Sequence, residues 1–219
     1  MTRIVGSRIL KTPCCGSTLK SDAYASINFS VAENWTDGKM IGTLFNRDGN
    51  LRHCLCGQVF FLNDAMTDVV ILKSDKTLSA DSIPYAQYIK DDEVESLLDS
   101  HEFSIEIEII LRKRLWQFSN DSFRDVYRAH KKVNPKSFPT YSLTTSQISN
   151  LERLKALVNE LNAKKFLLLA EINRALGNKS DAIICIKNIS KDDETFAKIM
   201  ADLIDSDYKG PARYKSLPN

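Results

Sequence analysis

The segment His53-Cys54-Leu55-Cys56-Gly57 decides the fold of the first third of this 219-residue chain. A second cysteine–glycine segment, Thr12-Pro13-Cys14-Cys15-Gly16, precedes it. Four thiolates from two tight turns suit a closed, tetrahedral zinc site, and glycine permits the close approach of each turn to the metal. The sequence therefore predicts one structural zinc ion. Its predicted ligands are Cys14, Cys15, Cys54 and Cys56.

The spacing within the two segments decides how easily the four thiols can meet. Cys54 and Cys56 lie on the same face of an extended chain. Cys14 and Cys15 are adjacent, so their side chains converge only if the backbone turns between them. The proline before them and the glycine after them favour such a turn. His53 is the alternate ligand if Cys14 points away.

Two other interpretations compete with the zinc site. The cysteines could stay reduced and metal-free, because free cysteine packs as a small apolar residue. They could also form a redox pair, although disulfides between adjacent cysteines or across one residue are strained. The zinc hypothesis explains why both segments join cysteine to glycine. Cys185 stands alone in an apolar helical stretch, and we expect it to pack in the core.

The composition limits the classes of protein to which the chain can belong. Apolar residues make up 43% of it, enough for a buried core, and the net charge of +2 demands neither a nucleic-acid nor a membrane partner. No run of about 18 apolar residues could cross a membrane. Residues 1–8 do not begin a signal peptide. We expect a cytoplasmic protein, whose thiols stay reduced.

Residues 1–78 carry the pattern of a β module. Apolar and polar side chains alternate over residues 24–31, which predicts a half-buried strand, and residues 59–62 predict another. Turns are predicted at Asp37-Gly38 and at Asp48-Gly49-Asn50. We therefore expect a small antiparallel module, held together by the metal.

Beyond this module the apolar period becomes helical, and residues 79–140 form a predicted helical middle region. Within it, residues 103–118 alternate like a strand but also carry a helical stripe. We predict a helix there, because the run is too long for a typical strand.

Residues 141–207 form the second predicted helical region. Thr144 and Gln147 fit a capping box at its start, and Gly177 suits the left-handed residue that ends a helix. The tail, residues 208–219, contains glycine and prolines and is predicted to be disordered. The predicted fold class is α+β.

Several motifs of the chain resemble those of known families. The first third resembles uncharacterised bacterial proteins with an N-terminal zinc-ribbon or rubredoxin-like cysteine module and a helical tail. Near the other end the chain resembles the middle of a tetratricopeptide repeat, in which a small residue lets two helices pack closely and glycine makes the turn. These resemblances imply a zinc-ribbon-like antiparallel β module followed by an all-helical region with a tetratricopeptide-like hairpin, and they carry no activity. The motifs are Thr12-Pro13-Cys14-Cys15-Gly16, Ser26-Ile27-Asn28-Phe29, Trp35-Thr36-Asp37-Gly38 and Cys54-Leu55-Cys56-Gly57, then Leu168-Leu169-Ala170-Glu171-Ile172, Ala175-Leu176-Gly177-Asn178 and Ala182-Ile183.

Charge is segregated along the middle of the chain. Acidic residues dominate 91–108 and basic residues dominate 109–136. A basic face beside a zinc ribbon would suit nucleic-acid phosphates. The near-neutral chain favours instead that the two segments fold together or that both are solvated. The candidate nucleic-acid contacts are Arg112, Lys113, Arg114, Arg124, Arg128, Lys131 and Lys132.

The sequence contains no phosphate loop, dinucleotide fingerprint or His-Glu-x-x-His motif, so we assign no catalytic residue. We expect a non-enzymatic, zinc-stabilised adaptor whose helical region binds another protein. The alternative hypothesis is a nucleic-acid-binding protein that uses the zinc ribbon and the basic helices of residues 112–136. A third hypothesis is an enzyme with a redox-active metal.

Overall fold

The computed structural model describes residues 2–26, 31–42, 51–72, 80–161, 165–190 and 193–214. The chain folds as two compact units. The β unit comprises Met1–Val31 and Gly42–Glu93, and the helical unit comprises Ala32–Ile41 and Val94–Asn219. The predicted α+β class is confirmed.

Strands and helices are segregated between the two units, apart from a small sheet in the helical unit. The strands are β1 (Arg3–Lys11), β2 (Thr18–Ser26), β3 (Val31–Trp35), β4 (Met40–Gly42), β5 (Leu51–His53), β6 (Val59–Phe61), β7 (Met66–Leu72), β8 (Gln87–Tyr88) and β9 (Arg213–Tyr214). The helices are α1 (Val94–Ser100), α2 (Ile105–Ser119), α3 (Asp121–Val133), α4 (Thr145–Glu160), α5 (Phe166–Ala175), α6 (Lys179–Lys187) and α7 (Glu194–Asp205).

Two antiparallel sheets form the β unit. In the first sheet β1 lies between β2 and β7, and in the second β5 lies between β6 and β8. The strand predicted over residues 24–31 overlaps the end of β2, whereas residues 27–30 and the turn predicted at residues 48–50 lie outside the described residues.

The core of the β unit includes one of the candidate metal ligands. Leu10 and Leu19 come from the first sheet, and Phe60 comes from the second. Cys54 is buried among them, with 5% of its surface exposed. Apolar burial therefore fixes the position of one thiol before any metal is considered.

The predicted helices appear where their local signals place them. Residues 103–118 correspond to α2, which begins after the N-cap Ser104. Thr144 and Gln147 exchange the two hydrogen bonds of a capping box at the start of α4. Gly177 has a φ of 82°, the left-handed conformation that ends α5. Among the described residues, no helix has the length and apolar character needed to cross a bilayer.

The segment Ala32–Ile41 belongs to the helical unit although the β unit flanks it in sequence. Within the helical unit, β3 pairs with both β4 and β9. Trp35 is fully buried and packs edge-on against Tyr127 of α3, their ring centroids 5.2 Å apart. The predicted boundary of the β module at residue 78 therefore differs from the observed division.

The prediction of a disordered tail is wrong for residues 208–214. Tyr208 and Ala212 are buried in the core of the helical unit, and β9 pairs with β3. Arg174 donates hydrogen bonds to the carbonyls of Tyr208 and Gly210. Gly210 and Pro211 are buried on this path. The carbonyls of Tyr208 and Gly210 are satisfied there by Arg174, as a buried backbone carbonyl needs a donor.

Candidate metal centre

Two tight turns present the four clustered cysteines. The first connects β1 to β2, and in it the Thr12 N–H bonds to the Ser17 carbonyl at 3.0 Å. The second connects β5 to β6, and in it the Cys54 N–H bonds to the Gln58 carbonyl at 2.8 Å. Each turn is therefore closed by its own backbone and anchored to two strands.

A glycine with positive φ completes each turn. Gly16 has a φ of 69° and Gly57 a φ of 86°. A Cβ built on either glycine would meet no atom within 4 Å. Glycine is therefore favoured at both positions by its backbone conformation and not by lack of space.

The two turns bring the four sulfur atoms together. The Sγ atoms of Cys15 and Cys54 lie 3.4 Å apart, and those of Cys14 and Cys56 lie 3.5 Å apart. All four lie within 4.8 Å of one another. Zinc–sulfur bonds of about 2.3 Å in a tetrahedron place sulfurs about 3.8 Å from each other. The group could hold a metal ion, and its dimensions fit that geometry.

The alternate ligand predicted for this site takes another partner. Cys14 lies with the other thiols, in a tight turn that Thr12 closes through hydrogen bonds with Gly16 and Ser17. The His53 Nε2 atom lies 3.5 Å from a carboxylate oxygen of Glu93. Sequence spacing left these two candidates open, and in the structure Cys14 joins the group.

Two hydroxyl groups contact the thiols and were missed in the sequence. The Thr12 Oγ1 atom lies 3.4 Å from the sulfur of Cys54 and 3.5 Å from that of Cys15. The Ser17 Oγ atom lies 2.9 Å from the sulfur of Cys15. Hydroxyl donors stabilise a thiolate. In the sequence, the only indication of these contacts was that Thr12 and Ser17 stand at the two ends of the segment that carries Cys14 and Cys15.

The environment separates the acidities of the neighbouring thiols. The Ser17 hydroxyl, followed by that of Thr12, lowers the pKa of Cys15 to about 5. Cys14 is exposed as a residue, but partial desolvation of its sulfur, followed by hydrogen bonds to Cys54 and Cys56, raises its pKa to about 12. Thiols this close oppose each other's ionisation, and a cation among them would favour the charged form of all four.

The fifth cysteine lies away from this group. Cys185 on α6 is half-buried and packs at the edge of the core that contains Trp35 and Met200. Its nearest polar contact is the Asn173 amide nitrogen, 3.9 Å from the sulfur. Burial raises the pKa of this thiol, in keeping with a packing role.

Three of the predicted nucleic-acid contacts are paired with carboxylates of the helical unit. Arg112 contacts Glu108 at 2.7 Å. Arg124 binds Asp121 at 2.7 Å and also Asp37. Arg128 contacts Asp125 at 2.6 Å and Glu33 at 2.7 Å. The five carboxylates that pair with these three arginines are Glu108, Asp121, Asp37, Asp125 and Glu33.

The other predicted contacts differ widely in exposure. Arg114 is buried, and Lys113 is half-buried, with a pKa lowered by burial. Lys131 donates to the Pro135 carbonyl and lies 3.9 Å from the ring centroid of Phe138. Lys132 is exposed. The structure thus distributes these residues between internal contacts and the surface.

Comparison with known proteins finds no matching family model, no significantly similar curated protein and no significantly similar solved structure. The geometry described above is therefore the basis for assigning a role.

Proposed function

We propose that the four clustered cysteines bind one zinc ion, which stabilises the β unit, and that the protein is a non-enzymatic adaptor. The observation that carries the zinc assignment is the convergence of four sulfur atoms within 4.8 Å from two separate turns. Thiolates are soft ligands that suit zinc, and four of them leave no coordination position for a substrate. Such a site is structural.

The size of the β unit supports this role. Small modules bury too little apolar surface to be stable on their own and often depend on a metal. The buried Cys54 lies in the apolar core, while Cys14, Cys15 and Cys56 are exposed. A zinc ion would therefore join the core to the two surface turns.

The helical unit is the proposed site of partner binding. Its α5 and α6 pack as a hairpin around the turn at Gly177, which supports the tetratricopeptide-like interpretation. Ile183 and Ile184 of α6 remain 42% and 59% exposed. Neighbouring exposed apolar side chains on a helix favour contact with another protein.

The nucleic-acid alternative has less support. Phosphate binding requires cations that are free to replace counterions. Arg112, Arg124 and Arg128 contact carboxylates of their own unit. For a nucleic acid to bind through these arginines, the ion pairs would have to break. If the pairs stayed intact, the carboxylates would still neutralise the arginine charges.

The zinc proposal is tested by elemental analysis of the purified full chain and of two single variants. We expect close to one zinc per chain in the native protein and in Cys185→Ser, and little or none in Cys54→Ser. A native protein without zinc, or a Cys54→Ser variant that keeps it, would reject the proposal.

The adaptor proposal is tested by comparing proteins captured by the native chain and by an Ile183→Lys/Ile184→Lys variant. We expect a captured protein to be lost with the variant and kept with Val133→Lys, whose site on α3 is 77% exposed. Equal capture by all three would contradict binding through α6. Circular dichroism checks that each variant keeps its helices.

A further inference from the structure

We infer that the cysteine cluster is also a redox site, in which a hydroperoxide forms the disulfides Cys15–Cys54 and Cys14–Cys56 and expels the metal. The metal-release part rests on the proposed zinc site. The cross-links follow from the positions of the thiols alone.

All four sulfurs lie within 4.8 Å of one another, and the two shortest distances across the turns favour one pairing. The sequence contains an adjacent cysteine pair and a Cys-x-Cys pair, but a disulfide within either pair would be strained. The sulfurs of Cys15 and Cys54 are 3.4 Å apart, and those of Cys14 and Cys56 are 3.5 Å apart. A disulfide of about 2 Å requires each pair to approach only a little further. Each turn would then be bonded to the other.

Exposure determines where the oxidant can react. Cys14, Cys15 and Cys56 are exposed, whereas Cys54 is buried. Each cross-turn pair therefore contains at least one exposed cysteine. In the pair with Cys54, the exposed Cys15 is the attacking sulfur and Cys54 is the resolving one.

The oxidation balances with one hydroperoxide for each disulfide. The Cys15 thiolate attacks the O–O bond and becomes a sulfenic acid, while the remaining oxygen leaves as an alcohol, or as water from hydrogen peroxide, after taking a proton. The Cys54 sulfur then displaces the sulfenic oxygen, which leaves as water. Two thiols lose two electrons and two protons, and the peroxide gains them. Cys14 and Cys56 react in the same way with a second peroxide.

Formation of the first disulfide would remove two of the four ligands. A disulfide sulfur carries no thiolate charge, so it binds zinc poorly. The remaining pair of thiolates cannot form a closed tetrahedral site. The disulfide would nevertheless keep the two turns together after the ion has left. Oxidation would therefore replace the link through the metal with a covalent link.

The test treats the zinc-loaded full chain with hydrogen peroxide and follows three quantities. They are the zinc released to a chromogenic chelator, the intact mass and the disulfide-linked peptides of a non-reducing digest. We expect zinc release to accompany the first disulfide, a final loss of about 4 mass units for two disulfides, and peptides that link Cys15 to Cys54 and Cys14 to Cys56. Dithiothreitol with added zinc should restore the starting mass and zinc content.

Three outcomes would overturn the inference. They are oxidation mainly to sulfinic acid, disulfides within one turn, and resistance of the cluster at peroxide levels that oxidise Cys185. A Cys14→Ser/Cys56→Ser variant, which keeps Cys15 and Cys54, should form its disulfide faster than a Cys15→Ser/Cys56→Ser variant, which keeps Cys14 and Cys54; equal rates would contradict the proposed pairing. Cross-links without zinc in the reduced protein would reject the zinc proposal alone, whereas zinc without cross-links would reject this inference alone.

Discussion

The guanidinium group of Arg124 and the carboxylate of Asp37 form an ion pair in the interior of the helical unit. Their side chains are 1% and 0% exposed. Asn120 donates a second hydrogen bond to the same carboxylate at 3.0 Å, and the Lys39 N–H donates to its other oxygen. The pair therefore ties the turn at residues 36–39 to α3 with little competition from water.

Loss of one member of this pair should be costly. We expect Arg124→Met to lower the free energy of unfolding by about 3–5 kcal/mol, because it leaves the Asp37 charge buried without its partner. Arg153→Met removes the half-exposed pair with Glu108 and should cost less than about 1 kcal/mol. Urea unfolding measures both, and equal effects would contradict the role of burial.

The stability of the helical unit should depend on pH through Glu33. Hydrogen bonds from Arg128, together with that from Arg213, lower the pKa of Glu33 to about 2, against an ordinary value near 4.5. A carboxylate with a lowered folded pKa contributes stability that is present above the ordinary value and is lost as the pH falls toward about 2.

Glu33→Gln should therefore flatten the decline of stability between pH 5 and pH 2. The contribution removed at neutral pH is at most about 3 kcal/mol. Asp125→Asn removes an exposed partner of Arg128 and should change stability at pH 7 by less than about 1 kcal/mol. Unfolding curves recorded between pH 2 and pH 7 give the free energy of unfolding at each pH. A decline with falling pH that is as steep in Glu33→Gln as in the native protein would contradict the role of Glu33.

Gly57 offers a test of the turn that carries Cys54 and Cys56. Because its φ is 86° and a Cβ would meet no neighbouring atom, Gly57→Ala should cost about 1–2 kcal/mol through backbone strain alone. Gly57→Asn should cost less, since asparagine tolerates the left-handed region better. Thermal unfolding of the zinc-loaded proteins compares them. An alanine variant as stable as the asparagine variant would show that the turn does not need a positive φ.

Removal of the proposed zinc ion should affect the β unit selectively. We expect a strong chelator to increase amide hydrogen exchange in β1, β2, β5 and β6, because the turns between these strands would lose their shared ligand. Exchange in α4, whose Leu151 and Leu154 are fully buried, should stay slow. Unchanged exchange in the β unit after zinc has been removed would mean that the metal does not stabilise it.

Residues 208–214 should be essential to the helical unit. A chain that ends at Asp207 loses the carbonyls that accept from Arg174 and the stacking of Tyr208 on Phe138 at 4.4 Å. We expect it to unfold at a clearly lower urea concentration than a chain that ends at Tyr214, which keeps these contacts. Similar midpoints for the two would contradict a structural role for this segment.

The elements predicted correctly from sequence depend on local chemistry. The Thr144–Gln147 capping box and the left-handed Gly177 each involve residues within a few positions of one another. The cysteine group was also predictable, because cysteine next to glycine is an unusual and chemically specific signal. The fourth member of the group was not, since the choice between Cys14 and His53 depends on a backbone turn that spacing alone leaves open.

The contacts that sequence could not predict join distant residues. Thr36 donates to Glu171 at 2.6 Å across 135 positions, and Arg128 reaches Glu33 across 95. Charge segregation favoured an acidic segment folded beside the basic one, but the carboxylates of Glu33 and Asp37 lie outside the acidic segment. Patterns of a single sequence carry no information on such pairings.

The segment Ala32–Ile41 belongs to the helical unit, so a single cut in the gene cannot separate the two units. An expression fragment beginning at Val94 would leave the Arg124 guanidinium without Asp37 and the Glu171 carboxylate without Thr36. A fragment ending at Glu93 would contain Trp35 without the helices that bury it, so this side chain would be exposed to solvent. Co-expression of the two fragments would supply the missing partners from the other fragment, and a circular permutant that keeps this segment beside the helices is the way to study the helical unit by itself.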